Sequence, residues 1–201
     1  MSRTVRSRGF SLVELAIVIA AAAILFSVLT PVVMAVTDQT TRLRAERDAA
    51  TLRDALLQLL QDTGAIRVRT AGEEGQLVYL LVSDGDTPTL GGGDAGWTRP
   101  LTANGVIDLL ERHLVSNSPS GDPKPRWNLP SGPRAAGWRG AYLRGPIEAD
   151  PWGGRYAVNV GFFGTHSDVV VLSAGPNRAV DSPYGESGFR ALGDDIAVLV
   201  Q

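Results

Sequence analysis

The sequence predicts an α+β fold in which one long N-terminal helix packs on a small antiparallel β-sheet. Two observations predict it. Through Asp62 the chain carries a near-continuous apolar run, then apolar residues spaced by three and four, which is helical periodicity. Beyond Gly64 that periodicity gives way to short β-branched and aromatic runs separated by Gly, Pro, Asn and Asp. The chain has 201 residues, 44% of them hydrophobic, enough for one domain and a tail. Four segments follow: a basic leader over 1–9, an apolar helix over 10–36, its amphipathic continuation over 37–63, and a globular part over 64–201.

Charge is distributed unevenly along the chain. The net charge is −2, and Arg3, Arg6 and Arg8 all precede residue 10, which leaves 16 basic against 21 acidic side chains for the remainder. A cationic leader on a mildly acidic body is the pattern of an exported domain, and no basic face for nucleic acid is indicated. The chain has no cysteine, so disulfides, thiolate metal sites and cysteine nucleophiles are excluded.

Leu15 to Val36 is apolar apart from Ser27, Thr30 and Pro31, long enough for one bilayer-spanning helix with the arginines on the cytoplasmic side. A cleaved secretory signal, a permanent anchor and a processed leader all begin this way. Val33-Met34-Ala35 offers small residues for signal cleavage after Ala35. Glu14 argues the other way. A carboxylate near the start of an apolar helix costs up to ~2.5–3.5 kcal/mol on insertion scales unless something pairs with it.

The neighbours of Glu14 decide the reading. Gly9-Phe10-Ser11-Leu12-Val13-Glu14-Leu15 resembles the prepilin peptidase site of type IV pilins and type II secretion pseudopilins. The resemblance implies cleavage after Gly9, N-methylation of the new first residue Phe10, and a role in assembly for Glu14. A freed amine at Phe10 and a carboxylate one helical turn along are a complementary pair, and in a low dielectric such a pairing between subunits would set their stagger. Pro31 stands where many pilin helices bend or melt. It removes one helical hydrogen bond, although membrane helices tolerate proline in any case.

From Asp38 to Asp62, Ala45, Ala49, Leu52, Leu56, Leu59 and Leu60 form one apolar stripe, with Arg42, Arg44, Arg47, Arg53, Asp54 and Gln58 mostly between them. Gly64 ends the helix. A helix over 11–62 would be ~75 Å long. The stripe needs a cover, and the globular part is expected to supply it. Without sustained heptads, a coiled-coil stalk is the weaker alternative.

In the globular part, Gln76 to Ser83 reads as a strand and Gly85 to Trp97 as a loop. The triplet Gly91-Gly92-Gly93 lacks the context of a phosphate cradle. Asn104 to Val115 reads as a short helix with Val106, Leu109, Leu110, His113 and Leu114 inward, and Ser116 to Trp138 as an irregular surface segment. Arg155 to Gly161 and Asp168 to Ser173 read as a hairpin joined across Phe162 to Ser167.

A second resemblance lies here. Trp138-Arg139-Gly140-Ala141-Tyr142-Leu143 followed by Asp150-Pro151-Trp152-Gly153 is similar to the C-terminal signature of major pseudopilins. The latter four residues are turn chemistry, with Trp152 expected to anchor the turn to the core. Ser173-Ala174-Gly175-Pro176-Asn177 and Gly193-Asp194-Asp195-Ile196 are similar to the two segments that hold calcium in that family, through carboxylates and backbone carbonyls. The resemblance implies a calcium site with Asn177, Asp194, Asp195 and the Ser173 backbone. Asn177 stands where the family has aspartate, and the loop over 178–192 is long; Asp181 or Glu186 could supply the missing charge. The alternative is an exposed loop whose aspartates cap a turn.

His113 and His166 are the only histidines, and no HExxH or G-x-S-x-G occurs, so catalysis is not indicated. The reading is a structural filament subunit. Its expected partners are further copies, other pilin-like subunits, prepilin peptidase and inner-membrane assembly machinery. Its expected place is the bacterial inner membrane, crossed once with the C-terminal domain outside the cytoplasm, and then a periplasmic or extracellular filament. Type II secretion is favoured by resemblance and a type IV pilus subunit is the runner-up. A membrane-anchored or secreted calcium-binding module that does not polymerise is the rival from another class.

Overall fold

The computed structural model describes residues 11–70, 76–101, 107–119 and 127–201. The chain divides into two compact units, Met1–Thr41 and Arg42–Gln201. Helix α1 (Leu12–Thr63) contributes to both.

In the first unit every described side chain is exposed except Ala22 and Thr41, which are half-buried. The hydroxyls of Ser27, Thr30, Thr37, Thr40 and Thr41 donate to carbonyls one turn back, which removes the cost of leaving them bare in an apolar environment. The helix runs without a break through Pro31.

In the second unit a five-stranded sheet has the order β3-β1-β4-β5-β7, with β1 at Leu80–Val82, β3 at Ile107–Leu109, β4 at Ala157–Val158, β5 at Val170–Ser173 and β7 at Ile196–Leu199. The expected antiparallel sheet is in fact mixed: β1 and β3 run parallel, while the β1–β4, β4–β5 and β5–β7 pairs are antiparallel. A second, two-residue parallel pair joins β2 (Thr89–Leu90) to β6 (Ala179–Val180).

Successive strand residues point to opposite faces, and both faces are buried. On one side Leu81, Val158 and Val171 meet the α1 stripe of Ala49, Leu52, Leu56 and Leu59. On the other, Leu80, Val82, Ala157, Val170 and Leu172 lie under Trp97, Val180 and Tyr184. The α1 stripe is therefore covered by the globular part, as the periodicity predicts.

Several boundaries differ from those read in the sequence. Of the predicted strand over 76–83 only Leu80–Val82 joins the sheet; Leu77 instead bridges Arg69. The predicted loop over 85–97 contains β2, because Gly91 and Gly93 donate to the Val180 carbonyl at 2.9 and 3.0 Å. Glycine is required there, since a Cβ on Gly93 would sit 2.5 Å from the Ser182 carbonyl oxygen. The predicted helix over 104–115 shrinks to α2 (Leu110–Leu114) preceded by β3, and residues 104–106 lie outside the described residues. Pairing with β1 overrides helical propensity there, and the Asp108 carboxylate, accepting from Leu109 N and Arg112, turns the chain from strand into helix. The predicted strand over 155–161 stops at Val158, and a 3₁₀ turn follows at Val160–Phe162. Asn159 is the cause. Its side chain accepts from Val170 N at 2.8 Å and donates to the carbonyls of Asp168 and Tyr184, taking the place of ladder bonds. The hairpin partner is found at β5.

Two polar groups pin irregular chain to this frame. Arg155, buried, donates to the carbonyls of Trp97 and Arg99 at 3.0 and 2.6 Å, and burial lowers its pKa. Burial also pushes the Tyr184 hydroxyl up to about 12; it donates to the Tyr79 carbonyl at 2.8 Å.

The described parts of the segment over 116–138, namely 116–119 and 127–138, contain no strand or α-helix. Asn117 and Trp127 are nevertheless buried there and not on the surface as predicted; residues 120–126 lie outside the described residues. His113, completely buried, organises this region. Trp127 Nε1–H donates to its Nδ1 at 3.1 Å, and its Nε2 lies 3.1 Å from Asp108 Oδ2. An indole can only donate, so Nδ1 is unprotonated and the Nε2 proton goes to Asp108. Trp138 Nε1–H donates to the His113 carbonyl at 3.0 Å. His113→Ala takes the acceptor from the buried Trp127 indole and one donor from the buried Asp108 carboxylate. We expect a loss of roughly 2–5 kcal/mol, read by urea unfolding of the detergent-solubilised protein through tryptophan fluorescence. A loss below ~0.5 kcal/mol, the scale of a neutral surface change, would contradict this network.

Candidate functional sites: the first turn of the long helix and an acidic loop

Glu14 occupies the first turn of α1, and the sequence Ser11-Leu12-Val13-Glu14 closes on itself. Ser11 N–H donates to Glu14 Oε2 at 2.9 Å and Glu14 N–H donates to Ser11 Oγ at 3.2 Å, a reciprocal capping box. The S-x-x-E spacing of Ser11 and Glu14 is the sequence signal for this pairing. It gives the Glu14 carboxylate a partner within its own chain, in a bond that can be exchanged for a stronger cationic one. Gly9 and Phe10 lie outside the described residues. Leu12–Thr63 is long and apolar enough to cross a membrane, with a mean hydropathy of 2.7 in its most apolar window.

The turn Asp150-Pro151-Trp152-Gly153 is structural, but its anchor is not the expected one. Trp152 is only half-buried, whereas Asp150 is buried. Asp150 Oδ1 accepts from Trp152 N and Gly154 N at 3.0 and 2.8 Å, and its Oδ2 accepts from Ser173 Oγ at 2.5 Å. Gly153 has φ +86°, which glycine adopts without steric cost. The aspartate ties the turn to β5, and the Ser173 hydroxyl is committed to it.

The loop from Ser173 to Asp195 folds back so that its two ends meet. Asn177 N donates to Asp194 Oδ2 at 2.9 Å, and Asp181 N and Ser182 N donate to Asp195 Oδ2 at 3.0 and 2.8 Å. Gly175 allows this closeness, because a Cβ there would lie 2.2 Å from the Asp194 carbonyl oxygen. Asp181 also joins the cluster. Its Oδ2 lies where a Cβ on Gly193 would be, 2.2 Å away, and its Oδ1 accepts from Gly92 N at 2.9 Å. Glu186 is exposed and contributes its carbonyl to Asp168 N.

Two carboxylate oxygens in this cluster, Asp194 Oδ1 and Asp195 Oδ1, are buried without a hydrogen-bond partner. Burial raises the Asp195 pKa, and Asp181 nearby adds to the rise. Orphaned carboxylate oxygens are the kind of group that a hard cation such as calcium satisfies. Asn177 Oδ1 accepts from Ala179 N at 2.6 Å and its Nδ2 lies 3.5 Å from Asp181 Oδ2, so Asp181 brings to the same cluster the charge that asparagine lacks. The carboxylates are not drawn into a ready ligand set; among the described residues no group of three or more His, Cys, Asp or Glu is so arranged.

Compared with protein-family models, curated proteins and solved structures, the chain matches none.

A raised folded-state pKa means that Asp195 stabilises the fold below its unfolded pKa and that this contribution is lost as pH rises through the folded value. In EDTA the melting temperature is therefore expected to rise as the pH falls towards the ordinary carboxylate range. Asp195→Asn, which keeps an oxygen for Asp181 N and Ser182 N, flattens that dependence. It also removes any gain in melting temperature from added Ca²⁺. An unchanged calcium response in Asp195→Asn would exclude this carboxylate as a ligand.

Proposed function

We propose that this chain is a subunit of a membrane-rooted, type IV pilin-like filament, cleaved after Gly9 and N-methylated at Phe10. The observation that carries the reading is a single carboxylate, Glu14, opening a helix whose apolar side chains from Leu12 to Val36 face outward. Each large aliphatic side chain left in water forgoes ~1.5–3 kcal/mol of burial. So many together require lipid or neighbouring subunits as a cover. In that setting Glu14 exchanges its capping bond with Ser11 for the methylated amine of another subunit, which fixes the stagger, while residues 64–201 stay outside.

The wording of the motifs favours a type II secretion pseudopilin, with a pilus subunit next. The orphaned oxygens of Asp194 and Asp195 favour calcium in the distal loop, held also by Asp181 and Asn177 and by backbone carbonyls. When bound, the ion supplies positive charge that lets buried carboxylates stay ionised. The protein's own contribution is to hold the two loop ends together through Asp194 and Asp195. The same oxygens would serve a calcium-binding module that does not polymerise.

Mass spectrometry of protein recovered from membranes tests the reading. A mature chain beginning at N-methylated Phe10 is expected, and one beginning at Val36 would sink it. Glu14→Ala is expected to leave export and the folded domain intact while abolishing incorporation into filaments. Normal incorporation of that variant would remove the assembly mechanism.

A further inference from the structure

Within Arg42–Gln201, the side of α1 turned away from the sheet is not uniformly polar. Leu43 and Leu57, 41% and 40% exposed, stand on it with the half-buried Ala50 midway between them. At 100° per residue these three lie on the side away from the mean direction of Ala45, Ala49, Leu52, Ala55, Leu56 and Leu59, the residues that face the core. Their spacing is seven throughout. They form a straight apolar ridge of about 21 Å that drifts only ~20° per step, the drift a left-handed supercoil absorbs.

The ridge is flanked by charges in a definite pattern. Glu46 and Arg53 lie along one flank, and Arg47 and Asp54 along the other. In two parallel helices packed ridge to ridge, one flank of the first meets the opposite flank of the second. When the copies are level, Glu46 faces Arg47 of the other copy and Arg53 faces Asp54. A slip of seven residues, which the apolar spacing alone would tolerate, sets Glu46 against Asp54 and Arg47 against Arg53. The charges therefore favour the level register over its nearest competitor. Arg53 already contacts Asp54 of its own chain at 2.7 Å, an exposed pair of the kind that is readily exchanged.

We propose that this ridge docks a second copy of the same chain, side by side, parallel and in register. The inference rests on the membrane-rooted reading. Copies anchored in one bilayer by the same apolar segment present residues 43–57 with the same polarity and at the same level, and two-dimensional confinement raises their effective concentration. A ridge of three apolar residues is too small to hold a pair together in dilute solution. The pair is thus a membrane species that precedes assembly, because its level register differs from the one-turn stagger that the Glu14 pairing would set.

The absence of cysteine makes the test clean. Leu43→Cys, Ala50→Cys and Leu57→Cys are each introduced singly into the full-length chain and oxidised in intact membranes. Each is expected to give a covalent dimer with its own counterpart. Thr51→Cys and Gln58→Cys, exposed but off the ridge, are expected to give little. Adding Glu46→Arg to Ala50→Cys should lower the dimer yield several-fold, and adding Arg47→Glu to that pair should restore it. Equal cross-linking on and off the ridge overturns the proposal. So does preferential linking of Leu43→Cys in one copy to Ala50→Cys in another, which signals the slipped register. Silent ridge cysteines in a protein that resists alkaline extraction overturn this inference alone. Release of the protein by alkaline extraction overturns the membrane reading and this inference with it.

Discussion

All four residues of β5, Val170 to Ser173, are buried, although neighbouring side chains in a strand point to opposite faces. The rest of the domain depends on that fact. A sheet of such short strands supplies few ladder bonds, so its order comes from being covered twice. The distal half of α1 covers one face. The other is covered by chain with almost no regular structure, and this explains why that chain carries so many polar fastenings. The Trp97 indole donates to the Pro183 carbonyl, Arg155 holds the turn at 97–99, and Asn159 holds the loop at 184. Each satisfies a buried backbone carbonyl that a helix or strand would otherwise have satisfied. In a chain without cysteine these bonds do what disulfides do elsewhere in small exported domains.

How much of this was legible in the sequence depends on how local the deciding interaction is. The α1 stripe was legible because Ala45, Ala49, Leu52, Leu56 and Leu59 repeat within one element. The hairpin around Phe162 to Ser167 was legible because both its strands are β-branched and lie close in sequence. The run Ile107-Asp108-Leu109 was not, because its strand conformation comes from pairing with residues some 27 positions earlier. Nor was the premature end of β4 at Asn159, whose effect depends on where Val170 and Tyr184 arrive. The sheet's mixed character was hidden for the same reason.

The sites divide in the same way. Glu14 stood out because a charge in an apolar run is conspicuous in any sequence. The Asp194-Asp195 pair was visible as adjacent acids, but their two orphaned oxygens appear only when the loop closes. Asp181 joins them across three glycines, Gly91, Gly92 and Gly193, distant in sequence and permissive in space. The His113 network was invisible for a different reason. Its meaning depends on Trp127 presenting a donor to one ring nitrogen while Asp108 takes the other, and neither spacing nor composition reports on tautomers.

The order of the strands also says something about how the chain must be made. The stripe of α1 is synthesised before residue 64; Val68, Val78 and Leu81 join its cluster soon after, but Tyr156, Val158, Val160, Phe163, Val169 and Val171, which complete the cover, come from residues 156–171. The Tyr156 hydroxyl approaches Asp48 across 108 residues of chain. Early chain therefore covers the stripe only in part, and the five-stranded sheet is complete only when β7 arrives. A contact pattern this non-local gives slow, late, cooperative closure rather than growth from one end. If α1 anchors the chain in a bilayer, as the proposed function has it, the anchor would be in place before the domain can close. The tether would then hold an unfinished chain at the membrane surface until β7, the final strand, emerges.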